Sequence, residues 1–195
     1  MKMLRFSPAL EVEPGKLFIT CPFSTSESWV NTHFHSNNYF VSAPGYVLRL
    51  AENDYSFSEH FIKKNHIDEV IILMNIESAI LSSAFYNTEG SLLPAVQVLK
   101  DLMSDHFHDF RGLLKHEKQR RKFLYKINAL RQFRTIYTSQ AYFKSKTDIG
   151  HIRLSAIIYN PYLQIFNKNN QTPYMQIIQV QPDTLYPSHK ELQVK

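Results

Sequence analysis

The chain has 195 residues, 44% hydrophobic and 20% charged, an ordinary globular composition that excludes a largely disordered protein. Its 22 Lys+Arg against 17 Asp+Glu give a formal net charge of +5, enough to attract anions weakly but far from a dedicated nucleic-acid binder. One cysteine excludes an intramolecular disulfide, and the five glycines form no phosphate-cradling loop of the GxGxxG or GxxxxGK[ST] type.

The length predicts one domain over residues 1–181, including a short N-terminal arm, followed by a proline-bearing tail at 182–195. No long apolar stretch precedes Pro8, so the start does not read as a signal peptide. No run reaches the roughly 18 apolar residues of a membrane span, and a lone cysteine fits a reducing compartment. The expectation is a cytoplasmic protein with no membrane partner.

In chain order, residues 16–21 follow Pro14-Gly15, stop at Pro22 and read as a buried strand. Residues 31–38 read as a loop carrying His33 and His35. Residues 39–42 form a second strand ending at the turn Pro44-Gly45. Phe57, Phe61 and Ile62 lie at helical spacing within 52–65, and residues 68–74 form the strongest strand, apolar from Val70 to Met74. Strand, helix and uninterrupted apolar strand imply a right-handed crossover and a parallel sheet covered on both faces. Leu92, Leu93, Val96, Leu99 and Met103 mark one further helix, and Leu113, Leu114, Phe123, Leu124, Ile127 and Leu130 a longer one. The charged run 115–122 reads as its solvated face. Strands at 151–159 and 162–166 flank a turn at Asn160-Pro161, a hairpin pattern, and 174–180 reads as an edge strand. The predicted fold class is α/β, a mostly parallel sheet of four or five strands flanked by helices.

Ligands in open parallel sheets bind beyond the carboxyl ends of the strands. Those ends are Cys21-Pro22-Phe23-Ser24-Thr25, Ser42-Ala43-Pro44-Gly45 and Met74-Asn75-Ile76-Glu77-Ser78-Ala79. Their order and spacing resemble the β-class carbonic anhydrases. In that family the first strand ends in Cys-x-Asp-Ser-Arg, the second in Arg-Asn-Ala-Gly and the third in Gly-His-x-x-Cys-Gly. A helix carries Ser-Leu-Glu-Tyr, which falls on Phe57-Ser58-Glu59-His60. The closing His-Gly-x-x-Tyr-Asp strand falls on Ser155-Ala156-Ile157-Ile158-Tyr159-Asn160.

The resemblance implies a zinc site at Cys21, Asn75 and Ser78, where the last two replace a histidine and a cysteine. The Asp-Arg pair of the first motif becomes Phe23 and Thr25, and the arginine of the second becomes Ser42, while Cys21, Gly45, Glu59 and Tyr159 are retained. A protein zinc site needs three or four thiolate, imidazole or carboxylate donors, and Asn and Ser are weak neutral ones. Without zinc, nothing lowers the pKa of a bound water to about 7, so hydroxide attack on carbon dioxide loses its nucleophile. The expectation is therefore a catalytically inactive, cofactor-free protein with a structural or interaction role. The pocket residues would be Phe23, Thr25, Ser42, Gly45 and Glu59 around the former ligand positions. Two alternatives are a small-ligand or anion binder in that pocket, and a carbonate dehydratase-like lyase with a relocated metal site drawing on His33 and His35. His106 and His108 read as a polar helix end. The resemblance also implies a homodimer; no protein partner of another kind is indicated, and the composition argues against nucleic acid.

Overall fold

The computed structural model describes residues 13–24, 26–35, 37–50, 55–86, 93–113, 116–167 and 170–180, with side chains as far as Asn160. The predicted tail at 182–195, the N-terminal arm, Thr25, Leu92 and Leu114 lie outside the described residues.

Five strands form one sheet, β1 Gly15–Thr20, β2 Asn37–Ser42, β3 Ile67–Asn75, β4 Arg153–Asn167 and β5 Asn170–Val180, in the order β2-β1-β3-β4-β5. The first four run parallel, and β5 is antiparallel at the edge beside β4. The helices are α1 Ser26–His33, α2 Glu59–Lys64, α3 Ala79–Tyr86, α4 Pro94–Asp105, α5 Phe107–Gly112, α6 Glu117–Ser139 and α7 Ala141–Asp148.

The central strand shows why the apolar run was necessary. Val70, Ile72 and Met74 point to one face and Ile71 and Leu73 to the other, and all five are buried. The larger core joins the first face to residues of α2, α3, α4, α6 and α7; the smaller packs Phe18, Ile71, Leu73, Ile157 and Tyr159 under Val30 and Trp29 of α1. Fully burying each such side chain contributes about 1.5–3 kcal/mol, so β3, serving both cores, is the sheet's principal apolar anchor.

Several sequence expectations need correction. Residues 31–38 are not a loop: 31–33 finish α1, and 37–38 begin β2. Among the described residues of 52–65, the α-helix is α2, which Ser58 in extended conformation caps by accepting the Phe61 N–H at 3.2 Å. A separate 3-10 turn covers Tyr55–Phe57. Asn160-Pro161 is not a hairpin turn. β4 continues to Asn167, and the pairing jumps from Asn160 opposite Tyr174 to Gln164 opposite Pro173, leaving the intervening residues of β4 without partners. Pro161 has no N–H for the ladder, which suits an irregularity rather than a regular pair. The sequence left α3, α5 and α7 without separate expectations.

Gly15 makes the tightest junction. Its N–H donates to the His66 carbonyl at 2.9 Å, and an added Cβ would lie 2.4 Å from the Asn65 carbonyl oxygen. Gly15→Ala is expected to lower unfolding free energy by about 1–3 kcal/mol in urea denaturation. Gly112→Ala, with nothing described within 4 Å of the new methyl, should be neutral or slightly stabilising; equal costs for both would refute the steric account.

Candidate functional site

The carboxyl ends of β1 and β3 bring together Cys21, Asn75 and Ser78, all buried. The Cys21 sulfur accepts the Gly45 N–H at 3.4 Å, and its carbonyl accepts the Ser24 hydroxyl at 2.8 Å. Gly45 adopts a left-handed φ of 62°, and an added Cβ there would meet Ile80 at 3.0 Å and Ala95 at 3.1 Å. Its place is therefore fixed both by conformation and by close packing.

Three tyrosines converge on the same region, Tyr159 together with Tyr46 and Tyr125, which sequence patterns do not single out. Tyr46 follows Gly45 and is itself left-handed, with φ 60°, an unfavourable conformation for a bulky side chain. That turn carries its hydroxyl to the end of β3, where it accepts the Asn75 N–H at 2.9 Å. Tyr125 of α6 donates to the Asn75 carbonyl at 2.7 Å, and the two rings meet edge to face at 5.5 Å. Tyr159 comes from β4 to hydrogen-bond Ser26 at 2.9 Å, and Ser26 in turn bonds Ser24. Burial pushes all three phenols above the ordinary tyrosine value, and the neighbouring Cys21 adds to the effect at each.

Helix α6 supplies the remaining contacts through a stripe at spacings of four, three and four residues. Arg121 Nη1 donates to the Ile76 carbonyl at 3.1 Å and to Ser82 at 3.2 Å. Asn128 Nδ2 donates to the Gly45 carbonyl at 3.3 Å. Gln132 Nε2 donates to Asn128 at 2.9 Å, while its Oε1 accepts the Leu48 N–H at 2.9 Å. All four stripe residues, Tyr125 included, are buried. The expected solvated face thus holds an exception: Arg121, 7% exposed, turns inward to the Ile76 carbonyl while its Nε donates to Glu117 at 2.9 Å.

The other residues singled out from sequence lie apart from this cluster. Phe23 is 59% exposed, Ser42 is exposed at the end of β2, and Glu59 is a surface carboxylate paired with Lys63. His33 is exposed in the last turn of α1, stacked on Trp29, and His106 sits at the junction of α4 and α5 beside Asp109. Among the described residues, no three His, Cys, Asp or Glu side chains are grouped to hold a metal ion. No described helix is long and apolar enough to cross a membrane.

Comparison with solved structures returns β-carbonic anhydrases. CafD of the filamentous fungus Aspergillus fumigatus superposes with a TM-score of 0.60 at 17% identity, covering 83% of this chain and 90% of that one. CafA of the same fungus gives 0.62 at 14% identity over 89% and 80% of the two chains. The fold is that of the β-carbonic anhydrases. One of two tetrameric β-carbonic anhydrases from Sordaria macrospora gives 0.57 at 11% identity, with 76% of each chain covered. No protein-family model matches the sequence, and no curated protein matches it.

In the β-carbonic anhydrase fold the zinc expected from the sequence resemblance would fall among Cys21, Asn75 and Ser78, and the residues present do not fit it. Cys21 is the only strong donor of the three. Asn75 Oδ1 already accepts the Glu77 N–H at 2.9 Å. Ser78 Oγ has no hydrogen-bond partner among the described residues, but a neutral hydroxyl is a weak ligand. Tyr46 and Tyr125 could bind metal only as phenolates, the form that their burial disfavours.

Tyr125→Phe would leave the buried Asn75 carbonyl without its donor, and an expected loss of about 1–3 kcal/mol should appear in chemical denaturation at neutral pH. The pH dependence has a definite sign. Phenols whose pKa is raised by folding stay protonated when the unfolded chain's tyrosines ionise, so their contribution to stability is constant below about pH 10 and falls as pH rises beyond it. Removing Tyr125 should make that alkaline decline shallower, narrowing the gap between variant and parent; parallel curves would contradict the assignment.

Proposed function

We propose that this chain is a cytoplasmic β-carbonic-anhydrase-fold protein that lacks zinc-dependent hydration chemistry and serves a structural or interaction role as a homodimer. The carrying observation is the set of side chains where the metal ligands would converge. Tyr46, Tyr125 and the α6 stripe engage the backbone groups of that region, and Cys21 is left with an amide as its partner. A thiol, an occupied amide and phenols held protonated supply neither three zinc donors nor a base for water.

An interaction role draws support from Phe23. It lies in the turn after β1, two residues beyond Cys21, and exposes 59% of its surface. A large apolar side chain in water at a strand end is the kind of group that an interface covers. Self-association is also how the Sordaria carbonic anhydrases are described.

Metal analysis of tag-free protein should find zinc far below one per chain, and carbon dioxide hydration should not exceed that of the heat-denatured sample. Stoichiometric zinc that disappears in Cys21→Ser would overturn the reading. Analytical ultracentrifugation tests the second element separately: a concentration-dependent dimer is expected, weakened about tenfold in Phe23→Ser. A parent chain that stays monomeric at high concentration would rule out the homodimer.

A further inference from the structure

At the opposite end of the sheet, where β3 and β4 begin, lies a groove of about 580 Å³. Its floor is apolar, formed by the buried side chains of Ile62, Ile67 and Ile152. Lys63 and His66 line one side from α2 and the turn after it; Tyr142 and Lys146 of α7 and His151 beyond it line the other. Among the described residues, no carboxylate lines this groove.

The arrangement of the charges points to a ligand. The Lys63 and Lys146 ammonium groups lie 5.3 and 5.7 Å from the centre of the same Tyr142 ring. Cation–π attraction rewards each approach, and of the two ammonium groups Lys63 already has Glu59 as an ion-pair partner. Each lysine alone suits the last turn of its helix, where it offsets the carbonyl end of the dipole. That preference does not account for two imidazoles converging on the same groove. Glu59 reaches Lys63 from the preceding turn of α2, and Asp148, two residues beyond Lys146, is engaged by the Tyr137 hydroxyl. One lysine thus keeps a partial counter-charge and the other has none from α7's own last turn.

His66 follows the C-cap of α2 and adopts a left-handed φ of 49°, the conformation in which helices commonly end, and from there its side chain lines the groove. A glycine would relieve the backbone, but it would remove the imidazole from the groove.

We propose that this groove binds a phosphorylated small molecule of nucleotide size. Its phosphates would be held by Lys63, Lys146, His66 and His151, with the uncharged part resting on the isoleucine floor. The volume falls within the roughly 300–1,000 Å³ of ordinary small-molecule sites. Lysines serve phosphate as movable point charges, and neutral or charged imidazoles add directed N–H donors. A single small anion such as bicarbonate would use neither the floor nor so many donors. This site is separate from the pocket at Cys21, and its existence does not depend on the absence of zinc there.

Isothermal titration calorimetry on the full chain, with ATP and with inorganic triphosphate as probes, tests the assignment. Binding of ATP, weakened by added salt and at least about tenfold weaker in Lys63→Ala/Lys146→Ala, is expected. Lys118→Ala, on the exposed first turn of α6, should leave it unchanged. Triphosphate binding as tightly as ATP would assign recognition to the phosphates alone; tighter ATP binding would assign part of it to the floor. His66→Asn, which tolerates the left-handed turn, serves as a second variant should the double substitution disturb folding, and it too should weaken binding. No binding of either probe at millimolar concentration, or equal binding to parent and folded variants, would overturn the proposal.

Discussion

Backbone groups at the ends of buried strands cannot be left unpaired, and in this protein one helix answers most of that demand. The carbonyls of Gly45, Asn75 and Ile76 and the N–H of Leu48 all find side-chain partners on α6. Leaving any one of them unsatisfied in the interior costs about 1–3 kcal/mol, comparable to a sizeable part of a domain's net stability. The stripe from Arg121 to Gln132 therefore does more than pack: it fixes the separation between α6, the turn after β2 and the end of β3. Once those elements are fixed, the space around Cys21 is fixed with them.

The same arrangement explains how the polar groups at the strand ends are held in the interior. Tyr46 carries an unfavourable left-handed backbone, but its hydroxyl satisfies the Asn75 N–H and its ring meets Tyr125. Gly45 enables the approach because no side chain could occupy the space against Ile80 and Ala95. Phenols suit this position in a way that carboxylates would not. They present a large apolar body to the core and one hydrogen-bonding group to the backbone, without a charge that must be desolvated.

The layout was legible where a signal repeats along the chain. Val70 to Met74 identify the central strand because a strand buried on both faces needs an unbroken apolar run, and the proline-bounded runs at Leu17 and Phe40 locate its neighbours. Residues 31–33 were obscured because α1 is short and polar, burying little beyond Val30. The hairpin was misplaced because Asn-Pro commonly marks a turn, whereas here the proline lies within an irregular stretch of β4. At the candidate site, Cys21, Asn75 and Ser78 were singled out through the resemblance to the β-carbonic anhydrase motifs, and they lie buried at strand ends. Tyr46 and Tyr125 were missed because they chiefly serve backbone groups, which leave no trace in composition. The spacing of Arg121, Tyr125, Asn128 and Gln132 was the available clue: polar residues on one helical face are legible as solvent contacts or as buried partners, and periodicity alone does not separate the two.

The chain's single tryptophan occupies a telling place. Trp29 stacks on Tyr159 with ring centres 4.6 Å apart, and on His33 at 4.4 Å. Tyr159 reaches through the sheet's smaller core to the serine hydroxyls beside Cys21. The molecule therefore carries a built-in optical probe of its own strand-end packing, because indole emission senses the spacing of the Tyr159 ring.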